Sequence, residues 1–217
     1  MLLPLALIVV AYVLGSIPFS FVVVKVLAGK DVREHGSRNV GATNVARTAG
    51  RVAGIVALAL DIAKGYAAIA IARWMVSQPE WPFGPGLSPW QSREFWVGLA
   101  GLVAMLGHMF PVWLRFHGGK GVATAAGVIL ALDPLVMLAA MIVFAIVLLV
   151  FRYVSLASMI TAASIPLLFR FFAVDAPFWR VVMSVGIALA VILKHHSNIS
   201  RLAQGTERKL GRKEKDR

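Results

Sequence analysis

The chain contains no cysteine, which removes disulfides, thiolate catalysis, Cys-ligated zinc and S-acylation at once. Acidic residues are scarce, with 10 Asp and Glu against 22 Lys and Arg, a formal net charge of +12. Charge of either sign is thin, at 15% of the 217 residues against about 25% in ordinary soluble domains. Hydrophobic residues fill the gap at 59%, where roughly 45 to 50% is usual, so a soluble fold is not expected. A soluble protein this basic would raise the question of nucleic acid. Here the Lys and Arg mostly punctuate long apolar runs, which points instead to a polybasic membrane protein facing anionic lipid and anionic substrates. No nucleic-acid partner is expected.

Other chemistries are missing too. There is no Gly-x-Ser-x-Gly elbow and no pair of carboxylates to divide acid and base work. The adjacent His195 and His196 lack the i, i+4 partner or Glu-bearing motif of a zinc site. Neither a metal nor a cofactor is expected.

What is present is a set of apolar stretches over residues 5–26, 52–75, 95–114, 122–151, 154–172 and 178–193, most near the ~20 residues that cross a bilayer. No basic residue precedes Lys25, so the first stretch reads as a retained span rather than a cleaved signal peptide. The stretch 122–151 is interrupted by Asp133-Pro134 and reads either as one kinked helix or as two folded back at that dipeptide. Charge chooses between them. Five Lys or Arg lie in residues 28–51 and eight from Lys194 onward, and both groups belong on the cytoplasmic side. That requires an odd number of crossings. The reading is an all-α polytopic membrane protein with seven transmembrane helices, amino terminus periplasmic and carboxyl terminus cytoplasmic. Residues 1–207 form one membrane domain, and the basic tail 208–217 is expected to be disordered.

Three polar clusters stand out from this apolar background, and the topology puts all three on the cytoplasmic side. The first runs Gly36-Ser37-Arg38-Asn39-Val40-Gly41-Ala42-Thr43-Asn44 and then Arg47; its glycines free backbone N–H groups that, with the two arginines, suit an oxyanion. It is not a Walker A loop, because Ala42 stands where that motif needs lysine. The second is Gly118-Gly119-Lys120-Gly121 ahead of an apolar helix, a construction that suits phosphate through unpaired N–H groups, the helix dipole and a mobile cation. The third opens the tail, where His195, Asn198 and Arg201 fall at i, i+3 and i+6 and would share a face if the last helix continued. Each has a plainer reading, as a polar turn, a loop or a snorkelling helix end. Within the second span Asp61 and Lys64 sit at i, i+3 and are read as a mutual structural ion pair, with a step in an ion path as the alternative. His108 is read as a structural histidine.

No histidine has an aspartate five positions on, so the His-x4-Asp pattern of the common glycerolipid acyltransferases is absent. The motifs resemble a different group. Gly36-Ser37 through Asn44, Gly107-His108 through Pro111 with Gly118-Gly119-Lys120-Gly121, and His195 through Asn198-Ile199 with Arg201, Gly205 and Glu207 are together similar to the bacterial acyl-phosphate:glycerol-3-phosphate acyltransferases. The likeness extends to Gly15-Ser16-Ile17-Pro18, Leu60-Asp61, Lys64-Gly65 and residues 153–158. It implies a seven-span inner-membrane enzyme, active on the cytoplasmic face, that moves an acyl chain from acyl phosphate to the 1-hydroxyl of glycerol 3-phosphate. Lysophosphatidic acid and phosphate would be the products. Carried over by position, the resemblance makes His195, Asn198, Ser37, Arg47 and Lys120 the catalytic set. Asn39, Gly41, Thr43, Asn44, Gly118, Gly119, Gly121, Ser158 and Arg201 become substrate contacts. Glu207 is structural, tying the tail to a basic partner such as Arg47, alongside Asp61, Lys64 and His108. Arg38 replaces the family's usual glycine. Implied partners are acyl phosphate, glycerol 3-phosphate, membrane lipids and a soluble acyl-phosphate-producing transacylase. From the residues alone, a transporter of a phosphate-bearing solute is the rival reading, although inverted repeats are lacking.

Overall fold

The computed structural model of the protein describes residues 2–83, 88, 91–173 and 177–211. Its regular elements are helices: α1 (Leu2–Ser16), α2 (Phe19–Ala28), α3 (Ala42–Ala49), α4 (Arg51–Ser77), α5 (Arg93–Met109), α6 (Val122–Leu132), α7 (Pro134–Phe151), α8 (Val154–Phe172), α9 (Phe178–Lys194) and α10 (His196–Ala203). The six residues 212–217 of the basic tail lie outside the described residues. Among the described residues five segments are able by length and composition to cross a membrane, with α1 and α2 counted together, and α9 with α10 makes a sixth if their 57° bend is taken within one span. The expected seven exceeds this count because α6 has only 11 residues, about 16 Å of helical rise or roughly half a hydrocarbon core.

Two dipeptides set the breaks. Pro18 has no N–H to continue a helix, so the first apolar run, read from the sequence as one helix over residues 5–26, is α1 and α2 meeting at Ile17-Pro18. At the second break Asp133 Oδ1 accepts the N–H groups of Leu135 at 2.9 Å and Val136 at 3.0 Å, and Pro134 fills the first turn, where an N–H is not needed. The run 122–151 is therefore two helices, and they take different neighbours: α6 lies along α4, and α7 along α8.

Glycine lets two helix pairs touch backbone to backbone. A Cβ on Gly65 would lie 2.1 Å from the Thr124 carbonyl oxygen and one on Gly127 would lie 1.9 Å from that of Ile62, seating α4 against α6. A Cβ on Gly15 would lie 1.9 Å from the Ala104 carbonyl oxygen and one on Gly107 2.5 Å from that of Tyr12, seating α1 against α5. Lipid tails are as apolar as leucine, so close van der Waals contact of this kind is what holds helices together in a membrane. Leu7, Ile69, Met105, Ile129, Phe169 and Ile187 are fully buried between the helices, whereas α7 turns Leu138, Ile142, Ile146 and Leu149 outward.

Where α4 ends and α5 and α9 begin, Trp81, Phe83, Phe95, Trp96 and Trp179 pack with centroids 5.3 to 6.0 Å apart, Phe83 stacked on Trp96 and the other pairs edge to face. Arg180 donates to Glu94 at 2.9 Å beside them. Amphipathic rings concentrate at membrane–water boundaries, which gives this end the character of an interface. The opposite end, where α2 and α9 finish and α4, α6 and α8 start, gathers the polar clusters.

Because the atom facing Gly127 is a backbone oxygen, Gly127→Ala is expected to destabilise the protein by about 2 kcal/mol, as overpacking of a rigid contact does. Gly186→Ala, whose Cβ would meet only the flexible Leu102 side chain at 3.3 Å, should cost far less. Unfolding midpoints in mixed detergent check the pair, and equal midpoints would contradict the close approach.

Candidate functional site

The first cluster is organised by one buried amide. Asn44 Oδ1 accepts the Ser37 N–H at 2.8 Å, and its Nδ2 donates to the carbonyls of Val32 at 2.9 Å and His35 at 3.0 Å. Both amide protons of Asn44 are thus committed to folding the loop, and the residue also lines the cavity beside it. Gly36 and Arg38 both have φ of 59°, the left-handed region that glycine tolerates and branched side chains avoid. That is why a glycine suits the position of Arg38. Ser37, Arg38, Asn39, Gly41, Thr43 and Arg47 line one wall of a cavity.

The glycine loop is tied back to its own helix. The Gly118 N–H donates to the Met109 carbonyl and the Gly119 N–H to the His108 carbonyl, both at 3.2 Å. These two donors hold the loop. What remains for an anion is Lys120 and the first turn of α6, which starts after Gly121 at φ 79°.

The third cluster sits where α9 bends into α10. His195 and Asn198 are buried at 3% and 6% exposure. His195 Nδ1 lies 2.7 Å from the Val191 carbonyl; a carbonyl only accepts, so Nδ1 carries the proton and Nε2 is left as an acceptor. Burial is the main reason the imidazole is pushed down to about 4, with Lys120 adding to it and the Val191 bond and Glu207 opposing. The ring is neutral at pH 7.

Glu207 joins the clusters. Its Oε1 accepts from Asn198 Nδ2 at 2.6 Å and Ser155 Oγ at 2.7 Å, and its Oε2 accepts from Arg201 Nε at 2.7 Å. Burial alone would raise its pKa, but those three hydrogen bonds outweigh it and hold the carboxylate below its ordinary value. Arg201 is an ion-pair partner of Glu207. Asn198 Oδ1 in turn accepts from Lys120 Nζ. Burial, with Arg201 and Arg47 nearby, pushes the Lys120 ammonium down to about 8 against the pull of Glu207.

These groups form the floor of a cavity of about 1270 Å³. Arg38, Arg47, Arg51, Lys120, Arg201 and Arg208 line it, against Glu207 and, deeper, Asp61. Lining residues change character along each helix: from Lys120 and Gly121 to Ala125 and Ile129 in α6, and from Ser155 and Ser158 to Ala162 and Ile165 in α8. In α9 they run from His195 back to Val191 and Ile187. At 1.5 Å per residue the apolar part extends about 12 to 15 Å from the polar floor. Its walls mix alanines, among them Ala125, Ala126, Ala140 and Ala162, with larger apolar side chains such as Leu58, Met141 and Phe144. The cavity therefore has one end for anions and one for a hydrocarbon chain.

Among the sequence-expected site residues Gly118 and Gly119 do not line the cavity, and the other substrate contacts and the catalytic set come together here. Ser158 spends its proton on the Val154 carbonyl at 2.8 Å, leaving its lone pairs. Ser155, Arg51 and Arg208 were missed; only Ser155 had a sequence signal, lying one turn from Ser158 on the same face. Asp61 pairs with Lys64 at 2.8 Å, and Asp61 and His108 also line the cavity.

Known proteins resemble the chain over nearly its full length. A family model described as glycerol-3-phosphate acyltransferase matches residues 5–205. A curated glycerol-3-phosphate acyltransferase from Acaryochloris marina is 43% identical over 211 residues, spanning 95% of this chain and 92% of the relative. One from Trichlorobacter lovleyi is 48% identical over 199 residues, spanning 92% and 93%. Among solved structures, PlsY (YgiH), an integral membrane glycerol 3-phosphate acyltransferase, matches in its glycerol 3-phosphate form with a TM-score of 0.82 at 38% identity over 96% of both chains. Its lysophosphatidic acid form gives 0.80 at 36% identity over 96% and 95%.

The lowered Lys120 makes anion binding pH-dependent. Sulfate, a dianion throughout this range, is expected to protect the purified protein against heat near pH 7 and to protect it less near pH 9, because the Lys120 proton is lost as pH rises through about 8. Lys120→Arg should keep the protection at the higher pH, since guanidinium stays charged. Equal protection of the parent at both pH values would contradict the placement of Lys120.

Proposed function

Since the chain belongs to the glycerol-3-phosphate acyltransferase family of integral membrane enzymes, we propose that it transfers a fatty acyl group from acyl phosphate to the 1-hydroxyl of sn-glycerol 3-phosphate. The products are lysophosphatidic acid and phosphate, and the step is the first acylation of bacterial phospholipid synthesis. The observation that carries this reading is the cavity whose cationic floor continues into an apolar shaft. Two phosphate-bearing substrates need more positive charge than one phosphate would, and an acyl chain needs the shaft.

Ser37, Arg47 and Lys120 hold phosphate groups in this reading. The start of α6 after Gly121 seats the acyl phosphate, with Gly118 and Gly119 shaping the loop. His195 through Nε2 and Asn198 orient glycerol 3-phosphate, while Asn39, Gly41, Thr43, Ser158 and Arg201 supply further contacts. Glu207 is structural. The hydroxyl oxygen of glycerol 3-phosphate attacks the acyl carbonyl carbon, the ester bond forms, and the carbon–oxygen bond to phosphate breaks with its electron pair leaving on phosphate. The hydroxyl proton goes to a substrate phosphate oxygen. His195 is a poor rival for it, because a group held near 4 is a weak base at neutral pH. Catalysis then rests on proximity and charge neutralisation around a donor that is already activated.

The protein lies in the bacterial inner membrane with seven crossings, amino terminus periplasmic, and the site on the cytoplasmic face. The basic residues around the cavity and the aromatic belt at the other end support that orientation. α6 makes a short crossing that the glycine loop extends. A soluble transacylase that produces acyl phosphate delivers the donor at the basic tail.

The test offers labelled glycerol 3-phosphate with palmitoyl phosphate, palmitoyl-CoA or palmitoyl acyl carrier protein to the detergent-purified protein. Lysophosphatidic acid is expected with the acyl phosphate alone; formation only with a thioester would overturn the donor, and none with any donor would overturn the reaction. Ala162→Phe, placed about 10 Å along α8 from Ser155, should shift preference from palmitoyl to octanoyl phosphate. An unchanged preference would remove the shaft as the acyl site.

A further inference from the structure

Among the described residues four other than glycine have a left-handed backbone, Arg38, Arg115, Phe116 and Arg152, with φ between 51° and 63°. Such a conformation costs free energy in any residue that carries a Cβ. Three of them have an ordinary cause. Arg152 ends α7, its N–H donating to the Leu148 carbonyl, and Arg115 ends the short turn Val112–Leu114, with the Phe116 N–H closing that reversal onto the Pro111 carbonyl. None of these three lines the cavity. Arg38 ends no helix, and it does line the cavity.

The loop does not need an arginine there to keep its shape. Asn44 accepts the Ser37 N–H and donates to the carbonyls of Val32 and His35, and the Arg38 N–H donates to the His35 carbonyl at 3.0 Å. A glycine at position 38 would allow the same four bonds without the strain. What the strained position retains is therefore the side chain. Arg33, in the same loop, is committed to Asp31 at 2.6 Å. Among the described residues no hydrogen bond or ion pair claims the Arg38 guanidinium, and Arg38 is exposed at the rim of the cavity.

We propose that Arg38 is a capture residue for the substrate that arrives from water, glycerol 3-phosphate. A phosphate monoester is close to a dianion at neutral pH, and a cation at the rim of a cleft lined with like charges focuses the field on it and raises its rate of entry. The acyl donor carries a hydrocarbon chain and comes through the apolar part of the same cavity, so the rim charge matters less to it. Stability is thus given up at the backbone for a charge at the opening. Arg38 meets the anion on its way in and does not touch the reacting atoms. The proposal rests on the reading of the cavity as the acyl-transfer site.

Two variants test it. Arg38→Gly removes the charge and the strain together, and Arg38→Asn removes the charge while leaving a residue that tolerates the left-handed region. Both are expected to raise KM for glycerol 3-phosphate about three- to tenfold in about 0.01 M salt, with kcat within about twofold of the parent. The difference should close in about 1 M sodium chloride, where screening is nearly complete, and KM for palmitoyl phosphate should change less. Arg38→Gly should also melt about 2 to 4 °C above the parent. An unchanged KM for glycerol 3-phosphate at low salt, a rise that persists at high salt, or a lower melting temperature for Arg38→Gly would overturn the proposal. If the parent turns over no donor, the acyl-transfer reading fails by itself, and Arg38 is then judged on equilibrium binding of labelled glycerol 3-phosphate at low salt: equal affinity in the parent and Arg38→Gly would overturn its role too.

Discussion

Hydrocarbon offers no hydrogen bonds, so every polar atom that enters it must be matched inside the chain. Much of this structure follows from that constraint. Asp133 closes the exposed N–H groups of α7 where the long apolar run breaks, Ser158 and Ser184 return their hydroxyl protons to carbonyls of their own helix, and Arg73 spends its guanidinium on the carbonyls of Ala131 and Leu132 at the end of α6. Polar groups that were merely solvated in a soluble protein are here built into particular contacts, and those contacts fix where one helix stops beside another.

The same constraint shapes the site. A floor lined by six cations would repel itself in a medium of low dielectric, and Glu207 relieves part of that by taking hydrogen bonds from three side chains at once. Arg38, Arg47, Arg51, Lys120 and Arg208 line the same cavity. Alanines among the wall residues do the complementary work in the shaft, since a small side chain leaves volume between helices that are already in backbone contact elsewhere. Close packing at Gly65 and Gly127 and open space beside Ala125 and Ala126 occur on the same helix pair, α4 and α6 or its neighbours.

The gross architecture was legible because membrane proteins write it in composition: apolar runs, basic loops and three polar clusters where little else is polar. The dipeptide Asp133-Pro134 marked an interruption, and the distribution of Lys and Arg along the chain, not the dipeptide, decided that it divides two helices. The division at Ile17-Pro18 was not legible, because a proline inside an apolar run reads equally well as a kink. Within the site, spacing placed His195, Asn198 and Arg201 on one element, but the partners that decide their use lie far off. Ser155 and Glu207 are 52 residues apart and Lys120 and Asn198 are 78 apart. No local pattern reports that the N–H groups of Gly118 and Gly119 are already spent, or that Asn44 serves its loop.

Past Glu207 the chain lies across the start of α8: the Leu210 N–H donates to the Arg152 carbonyl at 2.7 Å, Arg152 Nη2 donates to the Leu210 carbonyl at 3.1 Å, and Lys209 stands over the Tyr153 ring. This arrangement bears on the order in which a ribosome releases the parts. At about 5 to 20 residues per second, the arginines of the first loop reach the bilayer well before Lys120, and Glu207 with its Leu210 clasp follows several seconds later. Until then the first loop and Lys120 stand without Glu207, so the floor is completed only when the last stretch of the chain is released.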